Sequence, residues 1–425
     1  MAVPISRRTV LAASAGAAAT LAVPGLAEAR TGRRETGRGK GRVGFVLNAT
    51  TLDGGEQVTS LTLDTSRLGP IDPASLSTGT FRVHATATSP IPPAPGELIF
   101  SEYDLDRVVT AVRLDRRGDI VLSLSTAEGQ LGGGTLGYLT ARGRNVRLDL
   151  TYTITQLAPL TRRDGRPVTI TGFDQGRLAN FEVDAFDHHR TADLKYRLYE
   201  PKSARGARPL IVWLHGGGEG GLLPDGYYDN ETTLRANRGA LGFATPQAQR
   251  IFGGAYVVAP QSTSYWIEDG DRFAPQIQRV IRDVTRRHRI DPSRIYVAGC
   301  SNGGYMSLKM TTVYPELFAA SVPVCGVVAS LQAGAPPLIP DAQLAAISTP
   351  TWLITSLDDT TVPPGPNTIH ANEVIPGSLM TLYDNVIWDG YQFPGHWSWI
   401  YLAHNDPAID GTRVWQWMSA RRRRR

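Results

Sequence analysis

The chain has 425 residues, of which 41% are hydrophobic and 20% are charged, a composition typical of globular proteins that excludes disordered and fibrous classes. Its formal net charge of +5 is carried by the termini, because residues 43–420 hold 31 basic and 37 acidic side chains, a net charge of −6. Nucleic-acid-binding proteins concentrate basic residues on their folded surface, so this distribution argues against a nucleic-acid partner.

The N-terminus has the three parts of an export signal. Arg7 and Arg8 precede the apolar run Val10–Val23, and an Ala-Glu-Ala sequence with the form of a cleavage site follows. The paired arginines resemble the twin-arginine export motif. The apolar run is shorter than the roughly 20 residues that span a membrane. The sequence therefore predicts a cleaved signal peptide (1–29), a flexible basic segment (30–42) and a secreted protein with no membrane span.

Residues 43–156 show the period-two patterns of antiparallel strands. Phe81 and Val83 alternate with polar neighbours, and the stretches 108–114 and 120–124 flank a turn of sequence Arg-Arg-Gly-Asp. Many short strands separated by Gly and Pro over this length predict an immunoglobulin-like β-sandwich.

A segment rich in Pro and Arg, 157–176, is predicted to connect this unit to a second one. Strands and helices alternate over 177–420, with apolar strands such as Leu210–Leu214 and helical spacing of apolar residues over 277–284. This alternation predicts an α/β fold with a mostly parallel, doubly wound sheet. The arginines 421–425 are predicted to form a solvated basic tail.

The chain contains two cysteines, Cys300 and Cys325. Each ends a predicted strand, and the two strands are expected to be neighbours. A disulfide and a pair of buried free thiols both fit this placement. Two cysteines in a chain of this length exclude a disulfide-based scaffold.

The segment Gly299–Gly304 follows a predicted strand and opens a predicted helix. It holds the pattern G-x-S-x-G around Ser301. Glycines at these positions permit a sharp strand-to-helix turn that lifts the serine hydroxyl out of the sheet. The pattern in this context predicts that Ser301 is a nucleophile.

A serine nucleophile needs a base, and that base needs a carboxylate to orient it. Asp358 and Asp359 follow the strand predicted over 350–356, at the sheet edge where α/β sites form. Asp359 is preferred because the hydrolase pattern D-x-x-V-P begins there. Taken singly, the acid could cap a loop and His396 could be an interior histidine, but their order and placement predict the triad Ser301, Asp359 and His396.

The segment His215–Gly221 directly follows an apolar strand and reads His-Gly-Gly-Gly-Glu-Gly-Gly. It matches the glycine-rich loop that donates a main-chain N–H to an oxyanion. Gly217 or Gly218 is expected to supply one donor, and the N–H of Asn302 the second. A phosphate-binding loop is the alternative, but neither of its usual glycine patterns is present.

Three aromatic residues are predicted to line a substrate pocket around the nucleophile: Tyr265, Trp266 and Trp397. Trp399 suits core packing better, because tryptophan usually seeks burial. The adjacent pair His188 and His189 would point to opposite faces of a strand, and no third metal ligand is evident. We therefore predict neither a catalytic metal nor a cofactor.

Residues 177–420 resemble secreted α/β-hydrolase esterases, a branch that includes feruloyl esterases, polyhydroxyalkanoate-depolymerase-like proteins and prolyl-oligopeptidase-related hydrolases. The matching segments are His215–Gly221, Ala259–Gln261, Gly299–Gly304, Tyr314–Ala320, Val324–Gly326, Asp358–Pro363, Gly395–His396 with Trp399, and Asn405–Pro407. Ser75–Val83 is similar to the immunoglobulin-like domain that precedes some of these esterases. The resemblance implies hydrolysis of a small-molecule or polymeric carboxylic ester. The sequence departs from the family pattern at Trp397, directly after His396, where relatives often carry an acidic or small residue. This difference affects the expected substrate pocket and not the expected chemistry.

Two other functions fit the same residues. A serine peptidase or depsipeptidase would use the same triad, because triad geometry does not choose ester over amide. A secreted polymer-binding protein could carry an inert hydrolase fold. The complete set of catalytic residue types argues against the inert fold, and the resemblance favours the esterase. The sequence specifies no oligomeric state.

Overall fold

The computed structural model describes residues 41–202, 206–221, 225–330, 332 and 334–423. The predicted signal peptide and most of the predicted basic segment lie outside the described residues. None of the helices in the described ranges is long and apolar enough to cross a membrane.

The first unit consists of β-strands and short 3₁₀ turns. Its strands are β1 (Arg42–Leu52), β2 (Gly55–Leu63), β3 (Phe81–Thr88), β4 (Ile99–Phe100), β5 (Tyr103–Arg107), β6 (Val109–Leu114), β7 (Ile120–Leu124), β8 (Leu136–Leu139), β9 (Arg144–Arg147), β10 (Asp149–Gln156), β11 (Leu160–Thr161), β12 (Pro167–Val168) and β13 (Gly172–Ala179). The 3₁₀ turns are Ser66–Leu68 and Pro73–Ser75.

Two sheets of this unit enclose one hydrophobic core. Their strand orders are β13-β1-β2-β7-β6 and β10-β3-β5, and a third sheet has the order β4-β8-β9. Phe81 and Val83 are buried while Arg82 and His84 are more exposed. Leu114 pairs with Ile120 in the β6–β7 hairpin. The strands predicted at these positions are confirmed.

The segment predicted as a connector, 157–176, is itself part of the first unit. It forms the β11–β12 hairpin and more than half of β13, whose Gly172 pairs in parallel with Arg42 of β1. An edge strand that is partly exposed on both faces needs no alternating apolar pattern, and β13 has none. The chain therefore leaves the first unit after Ala179.

The second unit combines strands and helices. Its strands are β14 (Phe186–Arg190), β15 (Lys195–Tyr199), β16 (Arg208–Leu214), β17 (Tyr256–Gln261), β18 (Ile290–Cys300), β19 (Ala320–Val324), β20 (Trp352–Ser356), β21 (Leu379–Tyr383), β22 (Val386–Trp388), β23 (Tyr391–Phe393), β24 (Ala408–Ile409) and β25 (Thr412–Arg413). Its helices are α1 (Thr232–Arg235), α2 (Gly239–Ala244), α3 (Pro246–Phe252), α4 (Gly270–Arg287), α5 (Asn302–Val313), α6 (Asp341–Ala345), α7 (His370–Val374), α8 (Trp399–Ala403) and α9 (Val414–Ala420).

Eight of these strands form one sheet in the order β14-β15-β17-β16-β18-β19-β20-β21. The six strands β16–β21 run parallel to one another. At one edge of the sheet, β15 pairs antiparallel with β17, and β14 pairs antiparallel with β15. Ile211 and Trp213 of β16 pack with α2, α3, α8 and α9, whereas Leu210 and Val212 pack with α4, α5, α6 and α7. The predicted doubly wound sheet is confirmed.

The carboxyl ends of the parallel strands bring the motifs together. β16 ends at Leu214, directly before the glycine-rich loop, and β18 ends at Cys300, directly before the G-x-S-x-G serine. β20 ends at Ser356, just before the paired aspartates. Parallel strands end at one edge of a sheet, so the three segments share that edge.

Candidate active site

Ser301 occupies the sharp turn between β18 and α5. Its backbone has φ 55° and ψ −114°, a conformation that side-chain-bearing residues rarely adopt. A methyl group at Gly299 would overlap the carbonyl oxygens of Leu214 and Gly303, and one at Gly303 would overlap that of Leu214. The two glycines therefore let the turn pack against β16. The Ser301 N–H donates to the carbonyl of Val324 (2.8 Å), which fixes the turn to the neighbouring strand.

The imidazole of His396 is hydrogen-bonded to Asp359. Nδ1 lies 2.8 Å from Oδ2 of this carboxylate. The other oxygen, Oδ1, accepts the N–H groups of Thr361 and Val362 at 2.9 and 2.8 Å. Asp358 instead accepts from the hydroxyl at the end of β20. Asp359, and not its neighbour, is therefore placed to hold the histidine ring.

Ser301 and His396 lie at the same sheet edge, but no hydrogen bond joins them within the described residues. Cys325 follows the residue that accepts the Ser301 N–H, and its Sγ, a ring nitrogen of His396 and an oxygen of Asp359 lie within 4.8 Å of one another. Catalytic hydrogen bonds are often long before substrate binds. The thiol is a neighbour of the site that the sequence analysis did not assign to it.

Both cysteines are free and buried. Of the two arrangements that the sequence leaves open for Cys300 and Cys325, the structure has the free thiols. Burial raises the pKa of Cys300 well above its usual value, so this thiol stays protonated and unreactive near neutral pH.

Cys325, Asp359 and His396 also form a group of potential metal ligands. A zinc ion would need direct bonds of about 2.0–2.3 Å to their ligand atoms. Nδ1 of His396 and Oδ2 of Asp359 already face each other at hydrogen-bond distance. We therefore interpret the pair as an imidazole oriented by a carboxylate.

The pKa of His396 is raised above its usual value. Burial alone would lower this pKa, because it disfavours the charged ring, but interactions with Cys325 and Asp359 more than offset burial. The site thus stabilises an imidazolium, the species that forms when the ring accepts a proton from a nucleophile.

His215 anchors the glycine-rich loop. Its Nε2 accepts the N–H of Ser262 (3.0 Å), and its Nδ1 donates to the carbonyl of Gly216 (2.6 Å). Burial lowers the pKa of His215 to about 3, so the ring is neutral and acts as donor and acceptor at once. The carbonyl of His215 accepts from the indole N–H of Trp266 (3.1 Å). These bonds tie the start of the loop to the end of β17.

The loop lies against the first turn of α5. Residues Gly217–Glu219 form a 3₁₀ turn, and a methyl group at Gly217 would lie 3.1 Å from the ring of Tyr265 and 3.2 Å from Nδ2 of Asn302. The side-chain carbonyl of Asn302 accepts the N–H of Ile267 (3.1 Å). The main-chain N–H of Asn302 has no acceptor within the helix, because it belongs to the first turn. The structure thus places the glycine-rich loop beside Asn302, the first residue of α5.

Glu219 belongs to the glycine-rich motif but received no role from the sequence. Burial raises its pKa to about 7, against opposing effects of the Gly216 amide and the charges of Arg144 and His396. Its main-chain carbonyl accepts from the side chain of Gln261 (2.9 Å). Its carboxyl therefore titrates near neutral pH beside the site.

Arg144 is a second contributor that the sequence analysis missed. It lies on β9 of the first unit, and its guanidinium donates to the carbonyl of Gly217. No local pattern signals a contact between residues 73 positions apart in different units of the chain. The first unit therefore reaches the glycine-rich loop of the second.

The predicted pocket residues have different environments. Trp266, predicted to line the pocket, is fully buried beside His215, because its indole packs under the loop and hydrogen-bonds to it. It supports the loop and does not line an open surface. Tyr265 and Trp397 are half-buried, and Trp397 stacks on Trp399, which is buried as expected.

Parts of the chain are similar to known hydrolases. Residues 263–335 match the prolyl oligopeptidase family. Poly(3-hydroxyalkanoate) depolymerase C of Paucimonas lemoignei is 37% identical over 84 residues, covering 17% of this chain and 20% of the relative. Feruloyl esterase B of Neurospora crassa is 30% identical over 148 residues, covering 34% of this chain and 47% of the relative.

A solved structure described as a thermostable esterase is similar to most of the chain. It is 25% identical, with a TM-score of 0.70 over 89% of this chain and 99% of that one. The chain has the α/β-hydrolase fold in its second unit. It spans less than half the length of the curated relatives it matches here.

Proposed function

We propose that the chain is a serine hydrolase that cleaves carboxylic esters through an acyl-enzyme. Ser301 Oγ attacks the ester carbonyl while His396 takes its proton, and Asp359 stabilises the imidazolium. The N–H groups of Asn302 and of Gly217 or Gly218 hold the oxyanion.

The tetrahedral intermediate collapses by breaking the bond to the alcohol oxygen, which takes its proton from His396. Water then attacks the acyl-enzyme with His396 again acting as base, and its proton ends on Ser301 as the carboxylic acid leaves. Each step moves one proton between the same nitrogen and an oxygen, so neither a cofactor nor a redox partner is required.

The strained turn at Ser301 carries this proposal. A serine with φ 55° persists only where the surroundings enforce it, and such strain clusters at functional sites. Here two glycines and the pairing to β19 enforce it, and the hydrogen-bonded pair of Asp359 and His396 lies at the same sheet edge. The names of the relatives, an esterase and a depolymerase among them, support an ester as the bond cleaved.

Turnover of p-nitrophenyl butyrate tests the proposal. We expect Ser301→Ala to lower kcat by about 10⁶, the effect of removing a triad nucleophile. Cys325→Ala serves as the matched control, since this thiol is the other nucleophilic group beside His396, and it should cost far less. A Ser301→Ala variant with nearly wild-type kcat, or a larger loss in Cys325→Ala, would refute Ser301 as the nucleophile.

A serine peptidase is the second candidate, favoured by the match to the prolyl oligopeptidase family. Ester and amide cleavage share the same machinery, but the amide is the harder bond to break. We therefore expect hydrolysis of p-nitrophenyl esters to exceed that of peptide p-nitroanilides under the same conditions. Faster turnover of the anilides would assign the peptidase.

We further propose that the protein is secreted through a twin-arginine signal and that its first unit is an immunoglobulin-like domain. The residues around Arg7 and Arg8 support export, and the two facing sheets support the domain type. Replacing both arginines by lysine should retain the full-length precursor inside the cell, whereas the wild type should appear outside without residues 1–29. Export of the doubly substituted chain would contradict the twin-arginine route.

A further inference from the structure

Arg144 of the first unit is inserted against the glycine-rich loop of the second. The residue is only 3% exposed, although it carries a charge and lies on the edge strand β9. One of its Nη atoms donates to the carbonyl oxygen of Gly217. A buried arginine is costly unless its charge and its donors are used, so this contact calls for a role beyond surface solvation.

The guanidinium is fixed in place by stacking. Its Cζ lies 3.3 Å from the centroid of the Tyr265 ring, a cation–π contact. The Tyr265 hydroxyl donates in turn to the carbonyl of Arg142, in the turn of the β8–β9 hairpin (2.8 Å). Burial lowers the pKa of Arg144, and the charges of Tyr265, Glu268 and Glu219 partly oppose this effect. Arg144 is thus stacked on an aromatic ring while one of its N–H groups donates to the loop.

The carbonyl that Arg144 holds belongs to the peptide between Gly217 and Gly218. In a planar trans peptide the C=O and N–H bonds point in opposite directions. Because the Gly217 carbonyl is turned toward Arg144, the Gly218 N–H is turned away from the β8–β9 hairpin. Glycine on both sides of this peptide would otherwise let it rotate with little steric cost.

On the basis of the proposed function, we infer that Arg144 is a positioning residue that sets the orientation of the oxyanion-binding peptide Gly217–Gly218, so that the first unit completes the active site of the second. Arg144 acts through the peptide and touches no reacting atom. Its removal should therefore weaken the transition state and leave substrate binding largely intact.

The test compares Arg144→Met with Arg142→Met in the full chain. Arg142 lies in the same hairpin and forms ion pairs with Glu97 and Asp225. Among the described residues, its side chain hydrogen-bonds to these two carboxylates and to the carbonyl of Pro92, and not to the glycine-rich loop. We expect Arg144→Met to lower kcat for p-nitrophenyl butyrate by about 10²-fold, the scale of a lost oxyanion donor, with KM changed by less than about threefold. Arg142→Met should keep kcat within about threefold of the wild type.

A trifluoromethyl ketone supplies a readout that a purely structural role would not move. Its adduct with Ser301 carries an oxyanion, so its Ki should rise in Arg144→Met by the same factor by which kcat falls. Equal kcat and Ki changes in the two arginine variants would overturn the inference. Loss of ester turnover in Ser301→Ala tests the proposed function separately, so the two failures are distinguishable.

Arg144→Lys covers the case in which Arg144→Met does not fold. Lysine keeps the charge and one donor but loses the planar fork that stacks on the Tyr265 ring. We expect a wild-type melting temperature, an unchanged KM and a kcat that is lower than that of the wild type, but by less than about 10²-fold. A loss that falls on KM in place of kcat would contradict a positioning role.

Discussion

Asp359 holds His396 by a 2.8 Å hydrogen bond between Oδ2 and Nδ1, and is itself held by two main-chain N–H groups on Oδ1. The two main-chain N–H groups therefore orient the carboxylate independently of the imidazole. With Nδ1 as the donor to Asp359, the neutral ring keeps Nε2 as its basic nitrogen. The chemistry of the site depends on this tautomer.

Asp359→Asn should lower kcat by about 10⁴ with little change in KM, because an amide can donate to Nδ1 and favour the wrong tautomer. Asp358→Asn is the matched control, since its carboxylate bonds to the Ser356 hydroxyl and not to the histidine. Steady-state kinetics with p-nitrophenyl butyrate measure both variants. A larger loss of kcat in Asp358→Asn than in Asp359→Asn would show that Asp359 is not the catalytic acid.

The rate should depend on pH through His396. Because the pKa of His396 is raised and the base acts as a neutral ring, kcat/KM should rise with pH with a midpoint above 6.5. Ionised Glu219 contributes to stabilising the imidazolium, so Glu219→Gln should move this midpoint to lower pH. Profiles from pH 5 to 10 measure the shift. A midpoint that is unchanged or higher in Glu219→Gln would show that Glu219 does not stabilise the imidazolium of His396.

Glu219 should also make stability depend on pH. Its pKa is about 7 in the folded chain against a usual 4.5, so folding favours the protonated form. Its stabilising contribution is complete below pH 4.5 and is lost as the pH rises through 7, with a total of about 3 kcal/mol. Glu219→Gln should therefore gain unfolding free energy relative to the wild type between pH 5 and pH 8. Urea unfolding of both proteins at pH 5 and pH 8 measures their unfolding free energies. The same difference between variant and wild type at both pH values would contradict the prediction.

Gly303→Ala should destabilise the fold by about 3 kcal/mol or more, because its methyl group would overlap the Leu214 carbonyl and cannot be relieved by a side-chain movement. Gly365→Ala is the control, since an added methyl there meets no atom within 4 Å. The melting temperatures of the two variants give the comparison. Similar melting temperatures would show that the turn at Ser301 is less closely packed than the structure indicates.

The sequence predicted those features that leave a local pattern. The continuous apolar run Leu210–Leu214 indicates a strand buried on both faces, and the structure confirms it. The alternation at Phe81 and Val83 indicates a strand buried on one face, which the structure also confirms. The sharp turn at Ser301 could be predicted from its flanking glycines. Each of them packs so closely against main-chain atoms that a side chain would not fit there.

Features set by contacts between distant segments could not be predicted in this way. Strand β13 completes the first sheet by pairing with β1, some 130 residues earlier in the chain, and its own residues show no alternation. Arg144 contacts Gly217 from β9 of the first unit. The full burial of Trp266 depends on how the loop folds over it, and a tryptophan on a loop gives no signal for pocket or core.

Covalent labelling tests the central claim most directly. A fluorophosphonate reacts with an activated serine, and tryptic peptide mapping by mass spectrometry locates the adduct. The account predicts one adduct per chain on Ser301, blocked by Ser301→Ala and strongly slowed by substitution of His396. An unlabelled wild-type chain that still hydrolyses esters, or an adduct on any other residue, would contradict it.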